Sequence, residues 1–188
     1  MATPLKPSLT VADLELMPDD GNRYELLEGE LVVSRAPRLT HQRISGNIFA
    51  LLHQHLSRHP IGEVFATPGI VFDQISSVIP DLVFVSYERQ AEIVVDDRFI
   101  AAPELVIEIL SPGEENAYRD RVTKRQIYGR FGVSEYWIVD PERQALEVYA
   151  IEENVLELQQ TITGNDELTS LVLPDFVCQS DAIFNAQT

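Results

Sequence analysis

The 188-residue sequence predicts one α/β (α+β) domain, in which helices flank a mixed central sheet that carries additional antiparallel hairpins. Two continuous apolar runs, at residues 79–86 and 105–110, are typical of strands that are covered on both faces. Two stretches with helical periodicity, at residues 41–58 and 116–131, alternate with these strands. No internal repeat or linker is present, so we expect the domain to span residues 1–188.

The first elements are a short helix and a hairpin, after a segment at residues 1–8 that is expected to be irregular. The short helix covers residues 11–17, and either Ser8 or Thr10 can cap it, because a hydroxyl oxygen accepts a bond from a free amide of the first turn. Residues 23–33 then predict two antiparallel strands joined by a tight Glu-Gly turn.

The middle of the chain alternates helix and strand signals. Thr40 is the expected cap of the helix over residues 41–58, whose apolar residues recur at helical spacing. Residues 62–72 predict a strand, or a bent pair of strands interrupted at 67–69. Residues 88–99 are acidic, and their pattern leaves both a helical turn and a loop open.

The last third of the chain predicts strands. Gly132 ends the second long helix, and residues 135–139 form a third central strand. The chain then turns back over residues 145–151. Residues 157–162 and 167–173 predict further antiparallel strands.

The composition is that of an ordinary globular protein, with 45% apolar and 23% charged residues. No apolar run approaches the roughly 18 residues of a membrane-spanning helix, and the first residues lack the pattern of a secretory signal. Cys178 is the only cysteine, which excludes a disulfide framework and a cysteine zinc site. A cytoplasmic protein is the default expectation.

The charge balance argues against strong nonspecific binding of nucleic acid. Lys and Arg number 14 against 30 Asp and Glu, which gives a formal net charge of −16. Proteins that grip nucleic acid usually carry a basic footprint. The basic residues here do cluster, in residues 35–43 and 119–130, so a local patch for a polyanion stays open.

Two apolar strands each carry one carboxylate, Asp81 at the start of the first and Glu108 inside the second. Burying a carboxylate among Leu, Val and Ile is costly unless a cation or hydrogen bonds compensate it. If the strands are neighbours, the two carboxylates meet, and a divalent metal is the usual partner of such a pair. The alternative is structural, with Asp81 in a turn and Glu108 in a salt bridge.

Lys124 supports the metal interpretation. Asp120, Lys124 and Tyr128 are spaced at i, i+4 and i+8, so they share one face of the helix that follows the Glu108 strand. That face can bring an ammonium to the two carboxylates, where it would stabilise a phosphorane-like transition state or orient an attacking water. The alternative is a solvated helix face with an Asp–Lys pair.

Several motifs resemble those of one known family. They are, in order, Tyr24-Glu25-Leu26, Glu28-Gly29-Glu30, His41-Gln42, Pro80-Asp81-Leu82-Val83, Val106-Ile107-Glu108-Ile109-Leu110-Ser111-Pro112, Asp120, Lys124, Tyr128 and Gly132-Val133-Ser134-Glu135-Tyr136-Trp137-Ile138-Val139-Asp140-Pro141. This order resembles the Uma-type family of restriction endonucleases, which is placed in the PD-(D/E)XK nuclease superfamily. The resemblance covers residues 24–176, and it implies a restriction-endonuclease-like fold.

The resemblance also implies a set of catalytic residues. Asp81 matches the superfamily aspartate and Glu108 the acidic position of the (D/E)XK motif, and together they would hold Mg²⁺ or Mn²⁺. The lysine expected two residues after the glutamate is replaced by Leu110, so the resemblance implies that Lys124 fills its role from the helix. Glu25 is the candidate additional carboxylate, and a surface glutamate is its alternative.

The histidines are weaker candidates. His41 opens the first long helix and can approach the site, although an exposed histidine at a helix start is the favoured interpretation. His53, His55 and His59 do not have the arrangement of a zinc-protease motif, so a metal cluster there is not favoured.

The sequence therefore predicts a metal-dependent endonuclease that hydrolyses DNA phosphodiester bonds. The competing hypothesis is a binding or assembly protein that keeps the fold without catalysis, which the acidity and Leu110 both favour. DNA is the expected partner, bound weakly or through a local patch. A homodimer would fit the cleavage of a duplex, although no residue in the sequence demonstrates one.

Overall fold

The computed structural model of the chain describes residues 8–185, so the predicted irregular segment lies outside the described residues except for Ser8. Its helices are α1 (Val11–Leu14), α2 (Leu39–Arg58), α3 (Tyr87–Ile93), α4 (Glu114–Tyr118), α5 (Arg125–Phe131) and α6 (Asp181–Phe184). A π-helical segment, Arg119–Lys124, joins α4 to α5. Within the described range, no helix has the length and apolarity needed to cross a membrane.

The strands alternate with these helices along the chain. They are β1 (Arg23–Leu27), β2 (Glu30–Ser34), β3 (Gly62–Ala66), β4 (Ile70–Asp73), β5 (Ser76–Val78), β6 (Leu82–Ser86), β7 (Val94–Val95), β8 (Arg98–Phe99), β9 (Leu105–Ile109), β10 (Glu135–Asp140), β11 (Ala145–Glu152), β12 (Val155–Thr163), β13 (Glu167–Thr169) and β14 (Val177–Gln179).

A central six-stranded sheet has the order β12-β11-β10-β9-β6-β3. Strands β9 and β10 are parallel, and the other neighbouring pairs are antiparallel. The helical run from α4 to α5 makes the crossover that a parallel pair requires. A second six-stranded sheet, with the order β2-β1-β5-β4-β8-β7, packs on one face of the central sheet. Strands β13 and β14 form a separate two-stranded sheet.

The central strands alternate between two hydrophobic cores because successive side chains of a strand point to opposite faces. In β6, Leu82 and Phe84 pack with the apolar stripe of α2. Val83 and Val85 of the same strand pack with α5 and the second sheet. Each face of the central sheet is therefore covered, as the continuous apolar runs of the sequence predict.

The structure confirms most predicted elements and corrects several boundaries. The hairpin at residues 23–33 is β1 and β2. The prediction that Thr40 caps α2 is wrong: the helix begins at Leu39, after the extended backbone of Arg38, so Thr40 lies in its first turn. The short helix stops at Leu14 rather than at residue 17.

Other differences lie around the two carboxylate strands. The run at residues 79–86 is a strand only from Leu82, and a separate strand, β5, precedes it. Residues 88–99, for which the sequence left both a helical turn and a loop open, contain most of α3 and the two short strands β7 and β8. The helix predicted at residues 116–131 begins earlier, at Glu114, and contains the π segment.

The strand predicted at residues 167–173 ends at Thr169. The reason is the carboxylate of Glu135, which is completely buried and accepts the backbone N–H groups of Leu171 and Val172, at 2.8 and 3.1 Å. It also accepts the hydroxyl of Ser170, at 2.8 Å, and the indole N–H of Trp137, at 2.7 Å. These bonds hold residues 170–172 in a turn at the end of the central sheet where β10 begins.

Candidate functional site

Strand pairing brings Asp81 and Glu108 together. Leu82 of β6 pairs with Ile107 of the antiparallel strand β9, so Asp81 lies beside Glu108. Glu108 alternates with Val106 and Leu110, which pack toward α5 and the second sheet. Both carboxylates therefore lie at the end of the central sheet, on the side that the second sheet covers.

Asp81 is almost fully buried and receives bonds from two elements. Its Oδ2 accepts the backbone N–H of Ile109, at 2.9 Å, and lies 3.0 Å from His41 Nε2. Its Oδ1 lies 3.6 Å from a guanidinium nitrogen of Arg23. Burial acts to raise the pKa of Asp81, but the hydrogen bond and charge of His41, the Ile109 amide and the charge of Lys124 hold it below its ordinary value. Asp81 is therefore an ionised carboxylate.

Glu108 is also buried, and both bonds to it fall on Oε1. Lys124 Nζ donates at 2.9 Å and the Tyr128 hydroxyl at 2.7 Å. Burial raises the pKa of Glu108 to about 8 despite the charge of Lys124, and the charges of Asp120, Asp81 and Glu25 act in the same direction as burial. At Glu108 the effect of burial on the pKa thus outweighs the opposing charge of Lys124.

Lys124 is 2% exposed and connects Glu108 to Glu25. Its Nζ lies 2.8 Å from Glu25 Oε1, and the same oxygen accepts the backbone N–H of Ile79, at 2.8 Å. Burial acts to lower the pKa of Lys124, but the charges of Glu108, Glu25 and Asp120 raise it above its ordinary value. The side chain is therefore an ammonium that links the second sheet to the central sheet.

The π segment positions two of the charged groups. A π turn is wider than an α turn and is often found at functional sites. Asp120 and Lys124 both lie in it and are both buried. The Tyr136 hydroxyl donates to the backbone carbonyl of Asp120, at 3.1 Å, which fixes the segment against β10. In α5, the Tyr128 hydroxyl is also fully buried.

All four residues that the sequence singles out line one cleft. Asp81, Glu108, Lys124 and Glu25 are brought together around a cavity of about 500 Å³, although they come from four different elements or their ends. A larger cavity of about 750 Å³ lies elsewhere, lined mainly by apolar residues, and it contains none of these four.

The oxygen donors of the cleft fit a hard divalent cation. Within residues 8–185, no group of three or more His, Cys, Asp or Glu side chains is arranged to hold a metal ion. A site for Mg²⁺ or Mn²⁺ does not need such a group, because Mg²⁺ commonly binds one or two carboxylates together with waters and substrate phosphates. Asp81 and Glu108 supply two carboxylates, and burial together with the neighbouring carboxylates raises the pKa of Glu108.

Several residues of the cleft were missed or undervalued by the sequence reasoning. His41 is buried against Asp81 rather than exposed at a helix start, which is the opposite of the favoured interpretation. Arg23 and Arg119 line the cleft. No signal in the sequence indicated Arg23, whereas Arg119 belongs to the basic cluster at residues 119–130. Tyr128 and Asp120 share the predicted helix face with Lys124, so their spacing was the available signal.

The other histidines lie outside the cleft. His55 stacks on His59, with ring centroids 4.6 Å apart, and meets Phe176 edge-on. Burial and then the charge of His59 lower the pKa of His55. His53 stacks on Phe49. These contacts are those of aromatic packing.

Comparison with known proteins identifies similar proteins over most of the chain. Residues 11–181 match the family model described as "Uma2: Putative restriction endonuclease". A solved structure from Anabaena variabilis, described as "a putative nuclease belonging to DUF820", superposes with a TM-score of 0.77. The two chains are 18% identical, over 94% of this chain and 97% of that chain, so this likeness shows the fold. No curated protein matches the sequence.

Proposed function

Because the chain belongs to the Uma2 family, which confirms the resemblance in its sequence, we propose that it is a metal-dependent endonuclease that hydrolyses DNA phosphodiester bonds. Asp81 and Glu108 would hold Mg²⁺ or Mn²⁺. The observation that carries the proposal is the position of Lys124, whose ammonium lies 2.9 Å from Glu108 Oε1. The helix thus supplies the positively charged side chain that Leu110 cannot supply from the strand.

A bound divalent cation would polarise the scissile phosphate and lower the pKa of a water molecule. The residues of the chain prepare the site for that chemistry. Ile109 and His41 hold Asp81 ionised. Two of the three ammonium protons of Lys124 are engaged by Glu108 and Glu25, so the third can stabilise charge that develops on the phosphate.

The rim of the cleft favours a phosphodiester substrate. Four arginines line it, in a protein whose net charge is −16: Arg23, Arg35, Arg38 and Arg119. Arg35 and Arg38 are exposed, and the side chains of Arg23 and Arg119 are 30% and 21% exposed. Guanidinium groups bind phosphate oxygens strongly. The basic residues are thus placed where a nucleic-acid backbone would have to enter.

The test is Mn²⁺-dependent cleavage of duplex, single-stranded and branched DNA, with variants that keep the size of each side chain. Glu108→Gln and Lys124→Gln are expected to lower the cleavage rate by about 100-fold or more, since the first removes a carboxylate that would hold the metal and the second removes the ammonium that would stabilise charge on the phosphate. Arg98→Gln is the matched control, because that side chain is 69% exposed and lies outside the cleft. Cleavage at the wild-type rate in both cleft variants would contradict this assignment of the site.

The alternative function is a binding or assembly protein without catalysis, which the net charge of −16 favours. Calorimetric titration with Mn²⁺ distinguishes the two. If the protein is an endonuclease, we expect the wild type to bind Mn²⁺ and the Asp81→Asn variant to lose this binding. If the wild-type protein binds no Mn²⁺ and cleaves none of the three DNA substrates, the non-catalytic function replaces the proposed one.

A further inference from the structure

Unsatisfied polar atoms concentrate in the cleft. Four buried side-chain nitrogen or oxygen atoms in the described part of the chain have no hydrogen-bond partner. Three of them belong to residues that line the cleft: His41 Nδ1, Arg119 Nε and Asp120 Oδ1. Folded proteins pair nearly all such atoms, and an exception calls for a ligand or a water. In the described residues, most of the unpaired buried atoms therefore belong to the cleft that also holds Asp81, Glu108 and Lys124.

Asp120 is the group of interest, because its side chain is 5% exposed and is fixed in place. The hydrogen bond from Tyr136 holds its backbone carbonyl, and the π segment holds the residue at the cleft wall. Its Oδ1 lies 3.5 Å from Arg119 Nε, an ion-pair distance, although the two atoms form no hydrogen bond. Neither atom has a hydrogen-bond partner among the described residues, and a water molecule bound beside the pair would accept from Arg119 and donate to Asp120.

The other charged groups of the cleft already have partners. Lys124 is an ammonium held by two carboxylates, so it cannot accept a proton. One oxygen each of Asp81, Glu108 and Glu25 accepts two bonds. Asp120 Oδ1 is the carboxylate oxygen that accepts none and is also buried. Burial raises the pKa of Asp120 against the opposing charges of Lys124 and Arg119, which makes it a better proton acceptor than an exposed aspartate.

We propose that Asp120 is the general base that binds and deprotonates the attacking water, with Arg119 as the residue that positions this water. The proposal rests on the proposed phosphodiesterase function. The water oxygen forms a bond to phosphorus while its proton passes to Asp120 Oδ1. The bond from phosphorus to the leaving oxygen breaks with its electron pair on that oxygen, which takes a proton from solvent. Asp120 then releases its proton to solvent, and the products are a phosphate monoester and an alcohol.

The test compares Asp120→Asn with the wild-type protein in Mn²⁺-dependent DNA cleavage between pH 5.5 and 9. We expect kcat to fall by about 100-fold or more with little change in KM, because a general base contributes about 10²–10⁴-fold. The rise of log kcat with pH on the acidic side, with a slope near one in the wild type, should also disappear. Asp97→Asn, at an exposed position outside the cleft, is the control.

Two further measurements separate this role from a structural one. Asp120→Asn should unfold at a temperature no lower than the wild type and should bind Mn²⁺ with the same affinity. If the wild-type protein cleaves DNA, and Asp120→Asn retains kcat within threefold and keeps the acidic limb of the pH profile, the proposed role of Asp120 is wrong. The proposed function is not affected by that result. A wild-type protein that cleaves no DNA overturns the proposed function together with this inference.

Discussion

At the scale of single residues, the cleft combines one ammonium with more carboxylates than it can neutralise. Lys124 faces Glu108 and Glu25 directly, and the charge of Asp120 acts on it as well. A buried carboxylate without sufficient positive charge retains a proton to a higher pH than usual. The arrangement costs stability in the folded protein, and a divalent cation would relieve that cost.

The first prediction concerns the stability of Glu108→Gln as a function of pH. Burial raises the pKa of Glu108 from 4.5 to about 8 in the folded state. Between these two values the folded state holds a proton that the unfolded state has lost, so the wild type loses stability as pH rises through this window. A glutamine cannot ionise, and the variant should gain about 4 kcal/mol relative to wild type between pH 5 and pH 8.5.

Urea denaturation at both pH values measures this difference. Glu114→Gln provides the control, because Glu114 is exposed and its substitution should change stability equally at the two pH values. A difference between Glu108→Gln and wild type that stays the same at pH 5 and pH 8.5 would show that Glu108 ionises normally.

At the scale of elements, one buried carboxylate, Glu135, holds together the end of the central sheet that lies opposite the cleft. Glu135 begins β10 and accepts bonds from Trp137, Ser170, Leu171 and Val172. These bonds join the central sheet to the segment that leads into β14. Because β10 also packs beside the crossover helices, this joint supports the frame in which the cleft is built.

The second prediction is that Glu135→Ala lowers the free energy of unfolding by about 3–5 kcal/mol, since it leaves several buried donors without an acceptor. Chemical denaturation at neutral pH measures the change. Glu157→Ala on the exposed side of β12 is the comparison, and it should alter stability by less than about 0.5 kcal/mol. Similar losses in the two variants would exclude a specific role for the buried carboxylate.

At the scale of the whole molecule, a strongly acidic protein presents a local group of arginines at one cleft. A net charge of −16 repels DNA over most of the surface, whereas Arg23, Arg35, Arg38 and Arg119 attract it at the rim. If DNA is the substrate, as we propose, its productive contact is confined to the region where the carboxylates and Lys124 lie. This distribution favours weak binding in which few phosphates are neutralised.

The third prediction concerns the salt dependence of DNA binding in Ca²⁺, which we expect to permit binding without cleavage. The slope of log K against log salt should be shallow, and Arg38→Gln should reduce its magnitude by about 0.7–0.9, the contribution of one phosphate. Fluorescence anisotropy between 20 and 200 mM salt measures both slopes. Arg98→Gln should leave the slope unchanged, and an equal effect of the two substitutions would place DNA on another surface.

The sequence determined the elements and the candidates for chemistry. Apolar runs and helical periodicity are local properties, and they were sufficient for α2, β9 and β10. The same local patterns set Asp81 and Glu108 apart, because a carboxylate in an apolar strand is conspicuous in the sequence itself. Boundaries that depend on contacts between distant parts of the chain were not predicted. The end of β13 is an example, because Glu135 accepts a hydrogen bond from the segment that follows this strand and holds it in a turn.

Only the tertiary structure decided which side chains meet. The contacts of Glu25 with the Ile79 amide and with Lys124 join positions far apart in the chain, and no local pattern specifies them. His41 has the sequence pattern of an exposed residue, yet the packing of α2 buries it against Asp81. The sequence of the helix that contains the π segment has ordinary helical periodicity, so the wider turn was not predicted. In the structure this helix places Lys124 between two carboxylates and leaves Asp120 Oδ1 without a hydrogen-bond partner in residues 8–185. Such contacts depend on the assembled fold, because the free energy of burying these charges is set by the groups that surround them and not by their neighbours in sequence.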